Sequence, residues 1–278
     1  MIYRTLKDLC PMTEFRIESK SNPVIKMAKK LKEKKYRNET RLFLVEGFRF
    51  LEEALKSGKK IDKIFYVPEK EEDFRKYIEP NLKGEEIYSV PEALLKELSS
   101  TVHPQGVIGV VHMDESSDNH GADPFRNSMY LYLDGLQDPG NLGTIIRSAH
   151  AAEAGGILLG KNTVDPYSDK VLRSSMGSIF HLPLYRDGDM MLKKLQNQGY
   201  KLAVTSLDAT RSIYEEDLAQ NLILVIGNEG SGVTKEIQDN AEMLLKIPMP
   251  GGAESLNAAV AASVILFEKV RQTQEKYL

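Results

Sequence analysis

The stretch Leu222-Ile-Leu-Val-Ile-Gly-Asn-Glu-Gly-Ser-Gly-Val233 decides the fold. Its first half is an almost uninterrupted apolar run, the pattern of a strand buried on both faces of a parallel sheet. Its second half is a polar, glycine-rich turn that opens a helix-like segment. The glycines are spaced G-x-x-G-x-G. That is neither the G-x-G-x-x-G of dinucleotide-binding turns nor the G-x-x-x-x-G-K-[ST] of a phosphate loop, so ordinary nucleotide phosphates are not the expected ligand.

Two other stretches share this strand–turn–helix grammar. Leu133-Asp-Gly-Leu-Gln-Asp-Pro-Gly-Asn141 leaves an apolar strand through a Pro-Gly turn, with Asn141 placed as an N-cap. The helix that follows is apolar and alanine-rich (Ile145, Ile146, Ala149, Ala151, Ala152) yet carries Arg147, a guanidinium that needs a partner. Leu244-Leu-Lys-Ile-Pro-Met-Pro-Gly-Gly-Ala-Glu-Ser255 is the third, with Ser255 as the N-cap of a long helix. Small residues on that helix, Ala258, Ala259, Ala261, Ala262 and Ser263, let another backbone approach closely. Three such turns suit one crevice at the carboxyl ends of a parallel sheet, where open α/β sheets hold ligands.

Working outward, strands are predicted at Met129–Leu136, Gly156–Leu159, His181–Tyr185, Lys201–Ser206, Asn221–Gly227 and Met243–Pro248. Helices are predicted at Asn141–Ala154, Met190–Gln198, Thr234–Asn240 and Ser255–Gln272. The alternation argues for an α/β fold with a largely parallel sheet covered on both faces. Upstream, a basic helix from Pro23 to Arg37, a strand from Phe43 to Gly47, a helix from Phe48 to Gly58, and strands at Ile61–Val67 and Glu85–Val90 describe a smaller α/β domain. His112 to Asn127 is polar and turn-rich, a linker. The expected organisation is an extension over 1–20, a small domain over 21–111, a linker over 112–127 and the main domain over 128–278.

The chain has 278 residues, a length for roughly two domains, and a net charge of −3. No global basic field draws it to nucleic acid, so local charge must do so. Lys20, Lys26, Lys29, Lys30, Lys32, Lys34, Lys35, Arg37 and Arg41 face only Glu33 and Glu39 as neighbouring acids in sequence. No apolar run approaches the ~20 residues that span a bilayer, and no membrane contact is expected. The first residues lack the apolar core of a secretory signal, which favours the cytoplasm; Met12 is a candidate start. The single cysteine, Cys10, excludes an internal disulfide framework, the five histidines show no ligand spacing, and no metal is expected.

Together the three stretches resemble the signature motifs of the SpoU, or TrmH-like, RNA 2′-O-ribose methyltransferases of the SPOUT superfamily: DPGNLGTIIRSA, LVIGNEGSGV, and IPMPGG with SLNAAVAASVILFE, in that order. Lys170-Val-Leu-Arg-Ser-Ser-Met-Gly-Ser-Ile-Phe-His-Leu-Pro is similar to the segment between them, although Ser168-Asp169 stands where many relatives carry Asn-Pro. The N-terminal part, with Ser21-Asn-Pro-Val-Ile-Lys and Phe43-Leu-Val-Glu-Gly, more loosely resembles the family's substrate-binding domain, which has an L30e-like fold.

The resemblance implies a deep trefoil knot in the C-terminal domain, S-adenosylmethionine as cofactor, and a homodimer whose site draws on both protomers. It implies cofactor contacts from Thr205, Gly227, Ile247 and Leu256, and RNA contacts from Lys26, Lys29, Lys30, Arg37 and Arg41. Arg147 takes the central chemical role, with Asn141, Glu229, Ser255 and Asn257 orienting it, the RNA phosphate and the ribose. An arginine is effectively always protonated, so stabilisation of the developing oxyanion is the expected role rather than proton removal. The expected substrate is ribosomal RNA, of the 23S class. A transfer RNA substrate, and a non-catalytic RNA-binding protein on the same fold, stay open as alternatives; a nucleotide-binding enzyme is disfavoured by the missing phosphate fingerprints.

Overall fold

The computed structural model describes residues 14–113, 129–206 and 209–275. Cys10, the candidate start Met12 and nearly all of the expected linker lie outside the described residues. The chain divides into two compact units, one drawn from its N-terminal part together with Tyr167–Asp169, the other from the remainder.

The N-terminal unit holds β1 (Glu14–Arg16), α1 (Pro23–Lys30), α2 (Lys34–Thr40), β2 (Leu42–Glu46), α3 (Phe48–Lys56), β3 (Ile61–Tyr66), α4 (Glu71–Tyr77), β4 (Glu86–Ser89), α5 (Glu92–Leu98) and β5 (Val107–His112). The strands form one sheet in the order β1-β4-β3-β5-β2, with β5 antiparallel to its two neighbours. β1 pairs in parallel with β4, so part of the stretch read as an extension belongs to the sheet. α1 starts where Asn22 Oδ1 accepts the Val24 N–H at 2.8 Å, with Pro23 in the first turn. Its apolar face, Ile25 and Ala28, packs with Leu31, Leu94, Leu95 and Leu98 in one core.

The basic helix expected from Pro23 to Arg37 is two helices, broken after Lys30. Arg37 fastens the break. Its buried guanidinium folds back, and Nη1 donates to the carbonyls of Leu31 at 2.8 Å and Lys32 at 2.7 Å. Carbonyls that a helix end leaves unsatisfied are thereby bonded.

The second unit holds β6 (Met129–Asp134), α6 (Pro139–Ala151), β7 (Gly156–Leu159), α7 (Asp169–Ser175), β8 (Leu184–Tyr185), α8 (Gly188–Asn197), β9 (Lys201–Thr205), β10 (Leu222–Gly227), α9 (Lys235–Asp239), β11 (Met243–Leu245) and α10 (Ala258–Glu275). Its sheet runs β11-β9-β10-β6-β7-β8 and every pairing is parallel. On one face Tyr130, Tyr132, Leu202, Val204, Ile223 and Val225 pack with Met191 and Leu195 of α8. Leu222 to Ile226 are all buried, each worth about 1.5–3 kcal/mol on removal from water. α6 and α10 pack together, joined by a 2.7 Å hydrogen bond between Ser148 Oγ and Ser263 Oγ.

From β6 the chain steps outward through β7 and β8, then crosses back to place β9, β10 and β11 on the other side. The order reverses between β6 and β10. The crevice beyond their carboxyl ends is the place such a sheet offers a ligand.

Two caps differ from expectation. α6 is capped by Asp138, whose Oδ1 accepts the Asn141 N–H at 2.8 Å, because Pro139 takes the first helical position and leaves the cap to the residue before it. α10 starts at Ala258, and Asn257 rather than Ser255 is its cap: Asn257 Oδ1 accepts the Ala259 N–H at 2.9 Å.

Candidate active site

Glu229 organises the crevice. It stands in the turn after β10 and reaches across to the segment after β6. Its Oε1 accepts from Asn141 Nδ2 at 2.9 Å and from the Asp138 N–H at 3.0 Å, and its Oε2 accepts from the Gln137 N–H at 3.1 Å. Burial raises the Glu229 carboxyl's affinity for a proton, but these donors outweigh it and hold the group below the ordinary carboxylate range. Asn141, nearly buried, then accepts through Oδ1 from Asn257 Nδ2 at 2.8 Å. One chain of hydrogen bonds thus ties the ends of β6 and β10 to the start of α10.

The glycine turn is fixed by its own chemistry. Asn228 Oδ1 accepts from the N–H groups of Gly230 at 2.9 Å and Ser231 at 3.0 Å, while its Nδ2 donates to the Gly135 carbonyl at 2.9 Å. A Cβ on Gly227 would lie 2.3 Å from the Gly232 carbonyl carbon, so the backbone crossing at this turn demands glycine there. Asn228 is a site residue that sequence reasoning missed; an Asn directly after a strand and before Gly is the signal of an Asx turn.

Arg147 and Ser255 stand apart from this network. Both are exposed, and neither makes a hydrogen bond or ion pair among the described residues. The partner that Arg147 was expected to need is not supplied by Asn141, Glu229 or Asn257, whose bonds go to one another and to the backbone. The arrangement is therefore a frame whose polar groups satisfy one another, with the Arg147 guanidinium open on the same helix, α6, that carries Asn141.

Thr205 ends β9 and faces Leu245 of β11 in register; the Ser206 N–H donates to the Leu245 carbonyl at 3.0 Å, and Ile247 lies just beyond. Gly227 ends β10 between them and β6. Leu256 adjoins Asn257 and is 37% exposed. Thr205, Gly227 and Ile247 are half-buried. These groups are neutral, apolar or backbone, a lining that suits an uncharged nucleoside better than a phosphate chain.

The basic residues of the N-terminal unit are placed differently from one another. Lys26 is exposed without an ion pair among the described residues. Lys29 pairs with Glu97 at 2.9 Å, and Lys30 lies 5.5 Å over the Tyr36 ring. Arg41 adopts a left-handed conformation with φ 59° at the end of α2. Arg37, expected at the RNA, is buried, with its guanidinium on the carbonyls of Leu31 and Lys32. Among the described residues no helix is long and apolar enough to cross a membrane, and no group of three or more His, Cys, Asp or Glu is arranged to hold a metal.

The pattern of the SpoU rRNA Methylase family matches residues 128–267, and that of the MRM3-like substrate binding domain matches residues 22–109. The chain is 35% identical to the 23S rRNA (guanosine(2553)-2′-O)-methyltransferase RlmP of Bacillus subtilis, over 91% of this chain and 98% of that one. An AdoMet-bound rRNA methyltransferase from Sinorhizobium meliloti superposes with a TM-score of 0.79 at 33% identity, covering 93% of this chain and 98% of that one. The SpoU methyltransferase AviRb from Streptomyces viridochromogenes, in complex with AdoMet, gives a TM-score of 0.79 at 30% identity, covering 90% and 98%.

Proposed function

The chain belongs to the SpoU rRNA methylase family and is an S-adenosylmethionine-dependent RNA 2′-O-methyltransferase; from that premise we propose that its substrate is ribosomal RNA of the 23S class. The observation that carries the proposal is the joining of all three strand-end motifs by Glu229, Asn141 and Asn257, with Arg147 left unpaired at their side. Such a frame holds reacting groups in line, which supplies much of the barrier reduction in a displacement.

The cofactor brings a methyl group activated on a sulfonium. Thr205, Gly227, Ile247 and Leu256 are proposed to hold it at the ends of β9, β10 and β11. Arg147 donates to the ribose 2′-oxygen and stabilises the negative charge that builds there as the methyl group leaves the cofactor's sulfur for that oxygen and the hydroxyl proton passes, assisted by an RNA phosphate, to solvent. Glu229 does not take that proton, because its oxygens are engaged by three N–H donors and its proton affinity is lowered. Asn141 and Asn257 keep the α6 and α10 termini in register. Ser255, exposed and without a bond, is assigned to the incoming RNA.

The knot implied by the family is proposed where the chain beyond β11 returns to Asn141 through Asn257. A homodimer is proposed through the outer face of α10, where Val260 is 47% and Phe267 49% exposed. Lys26, Lys29, Lys30 and Arg41 are proposed to meet RNA backbone, in a cytoplasmic protein. The test is to map 2′-O-methyl sites on RNA from cells lacking the gene, before and after incubation with the enzyme and labelled cofactor. One site restored in 23S RNA supports the reading; restoration in transfer RNA alone replaces it.

A further inference from the structure

The pairing of α6 with α7 points to a substrate contact that the three motifs do not include. The contacts run in the same chain direction along both elements. Lys170 Nζ meets Asp138 Oδ2 at 3.3 Å, Ser174 Oγ donates to the Pro139 carbonyl at 3.3 Å, and Ser178, just past α7, meets His150 at 3.2 Å. Gly143 sits at the contact. A Cβ there would lie 1.9 Å from Ser174 Oγ and 2.8 Å from the Val171 carbonyl oxygen, so only a glycine lets the helices meet this closely.

Helical period then fixes what flanks the contact. At about 100° per residue, Arg147 lies roughly 60° round α6 from the line of contact, and Arg173 lies roughly 80° round α7. For helices that run in the same sense these rotations turn both arginines to the same side of the groove. The buried Ile146 and Val171 take the other side. Along the axis the two arginines differ by about 7 Å, and paired helices stand about 8–10 Å apart, separations that two arginine side chains can bridge around one anionic group.

The Arg173 side chain, like that of Arg147, is exposed and makes no hydrogen bond or ion pair among the described residues. Asp138, at the start of α6, is occupied by Lys170 and by the Asn141 N–H, and Asp169, one turn before Arg173 on α7, makes no ion pair with it. The groove therefore offers two open guanidinium forks. Such forks match the oxygens of a phosphodiester.

We propose that Arg173 binds an RNA backbone phosphate next to the methylated nucleotide and so sets the ribose against Arg147. This rests on RNA methylation at Arg147, and it adds a substrate-binding residue from outside the three motifs. RNA is the substrate that carries an anion beside every ribose, so the two arginines divide the work: one holds the backbone, the other the reacting oxygen.

The test uses the full-length enzyme and the RNA that it methylates, with single methylphosphonate linkages, which carry no charge, placed one at a time around the target nucleotide. Arg173→Ala is expected to weaken RNA binding about tenfold, to lower the slope of log K against log salt by about 1, and to leave S-adenosylmethionine binding unchanged. Wild type is expected to lose affinity at one methylphosphonate position to which the variant no longer responds. Arg173→Gln, which keeps the side-chain length, should behave as Arg173→Ala does, and guards against a fold effect. Unchanged RNA affinity and salt slope in both variants would overturn the proposal, as would a full methylphosphonate penalty surviving at every position. Loss of cofactor affinity instead would overturn it too, by giving the guanidinium to the cofactor's carboxylate. No transfer by wild type to any RNA would overturn the methyltransferase reading first, and this one with it.

Discussion

The basic stretch of the N-terminal unit and the α6–α7 edge of the C-terminal unit use their cations in opposite ways. The first is dense in charge yet largely self-satisfied: Arg37 bonds the carbonyls of Leu31 and Lys32, Lys29 pairs with Glu97, and Lys32 Nζ donates to the carbonyls of Glu97 and Ser99. The second is sparse, yet Arg147 and Arg173 are exposed and unpaired among the described residues. Density of charge along a sequence measures how many cations exist, not how many are available. Availability depends on which carbonyls and carboxylates the fold brings near, and only tertiary structure decides that.

The sharpest way to break this comparison is at Arg147. Arg147→Ala is expected to slow single-turnover methyl transfer by about 10²–10³-fold while leaving cofactor binding intact, the size of loss seen when one oxyanion donor is removed. A calorimetric titration with S-adenosylmethionine beside the rate measurement checks both halves.

Arg37 should fail in the opposite sense. Arg37→Met leaves the carbonyls of Leu31 and Lys32 without their donor, at a cost of about 1–3 kcal/mol in folding stability. Denaturant unfolding reads that loss, and the salt slope of RNA binding by the remaining folded protein should not move.

Glu229→Gln tests whether the frame, rather than a base, is what this residue supplies. An amide keeps one acceptor oxygen but turns an N–H₂ toward donors, so a drop of about tenfold in rate is expected with no shift in the pH optimum. The linked effect on stability has a definite sign. The folded carboxyl lies below its ordinary 4.5, so its contribution is complete above that pH and fades as pH falls through the depressed value. Unfolding of wild type followed from pH 6 down to pH 3 should show that loss, and the glutamine variant should lack it.

The smallest effect is expected at Lys26. Lys26→Ala should weaken RNA binding only two- to threefold and lower the salt slope by about 1 or less, as one exposed phosphate contact does. A larger loss there than at Arg173 would reverse the comparison and return recognition to the basic stretch.

Much of this was legible in the sequence, for reasons that can be named. The run Leu222–Gly227 could only be a strand buried on both faces, and β10 has the bounds its apolar residues set. The three turns converge because each ends a parallel strand on the same side of the sheet, which chain direction alone requires. The caps were harder. Asp138 and Asn141 are both capping residue types, and Pro139 is what distinguishes them; Ser255 and Asn257 pose the same choice without a proline to decide it.

What escaped detection had weak local signals. β1 is three exposed residues with no apolar pattern. The predicted strand from His181 is shortened to Leu184–Tyr185, and Ser178–Phe180 before it form a 3-10 turn. The interior role of Arg37 was hidden inside a charge run, since its partners come from a helix end it folds back to meet. Arg173 carries no local signal, because what distinguishes it is the side of the groove it shares with Arg147 across two helices.

The central claim is that a planar, unpaired guanidinium at position 147 stabilises the 2′-oxygen within a frame fixed by Glu229, Asn141 and Asn257. The most direct test is single-turnover methyl transfer by Arg147→Lys with saturating cofactor and RNA. A lysine keeps the charge but not the fork, and the account predicts a rate far below wild type with cofactor and RNA affinities nearly unchanged. A rate close to wild type would contradict it, leaving simple positive charge sufficient at this position.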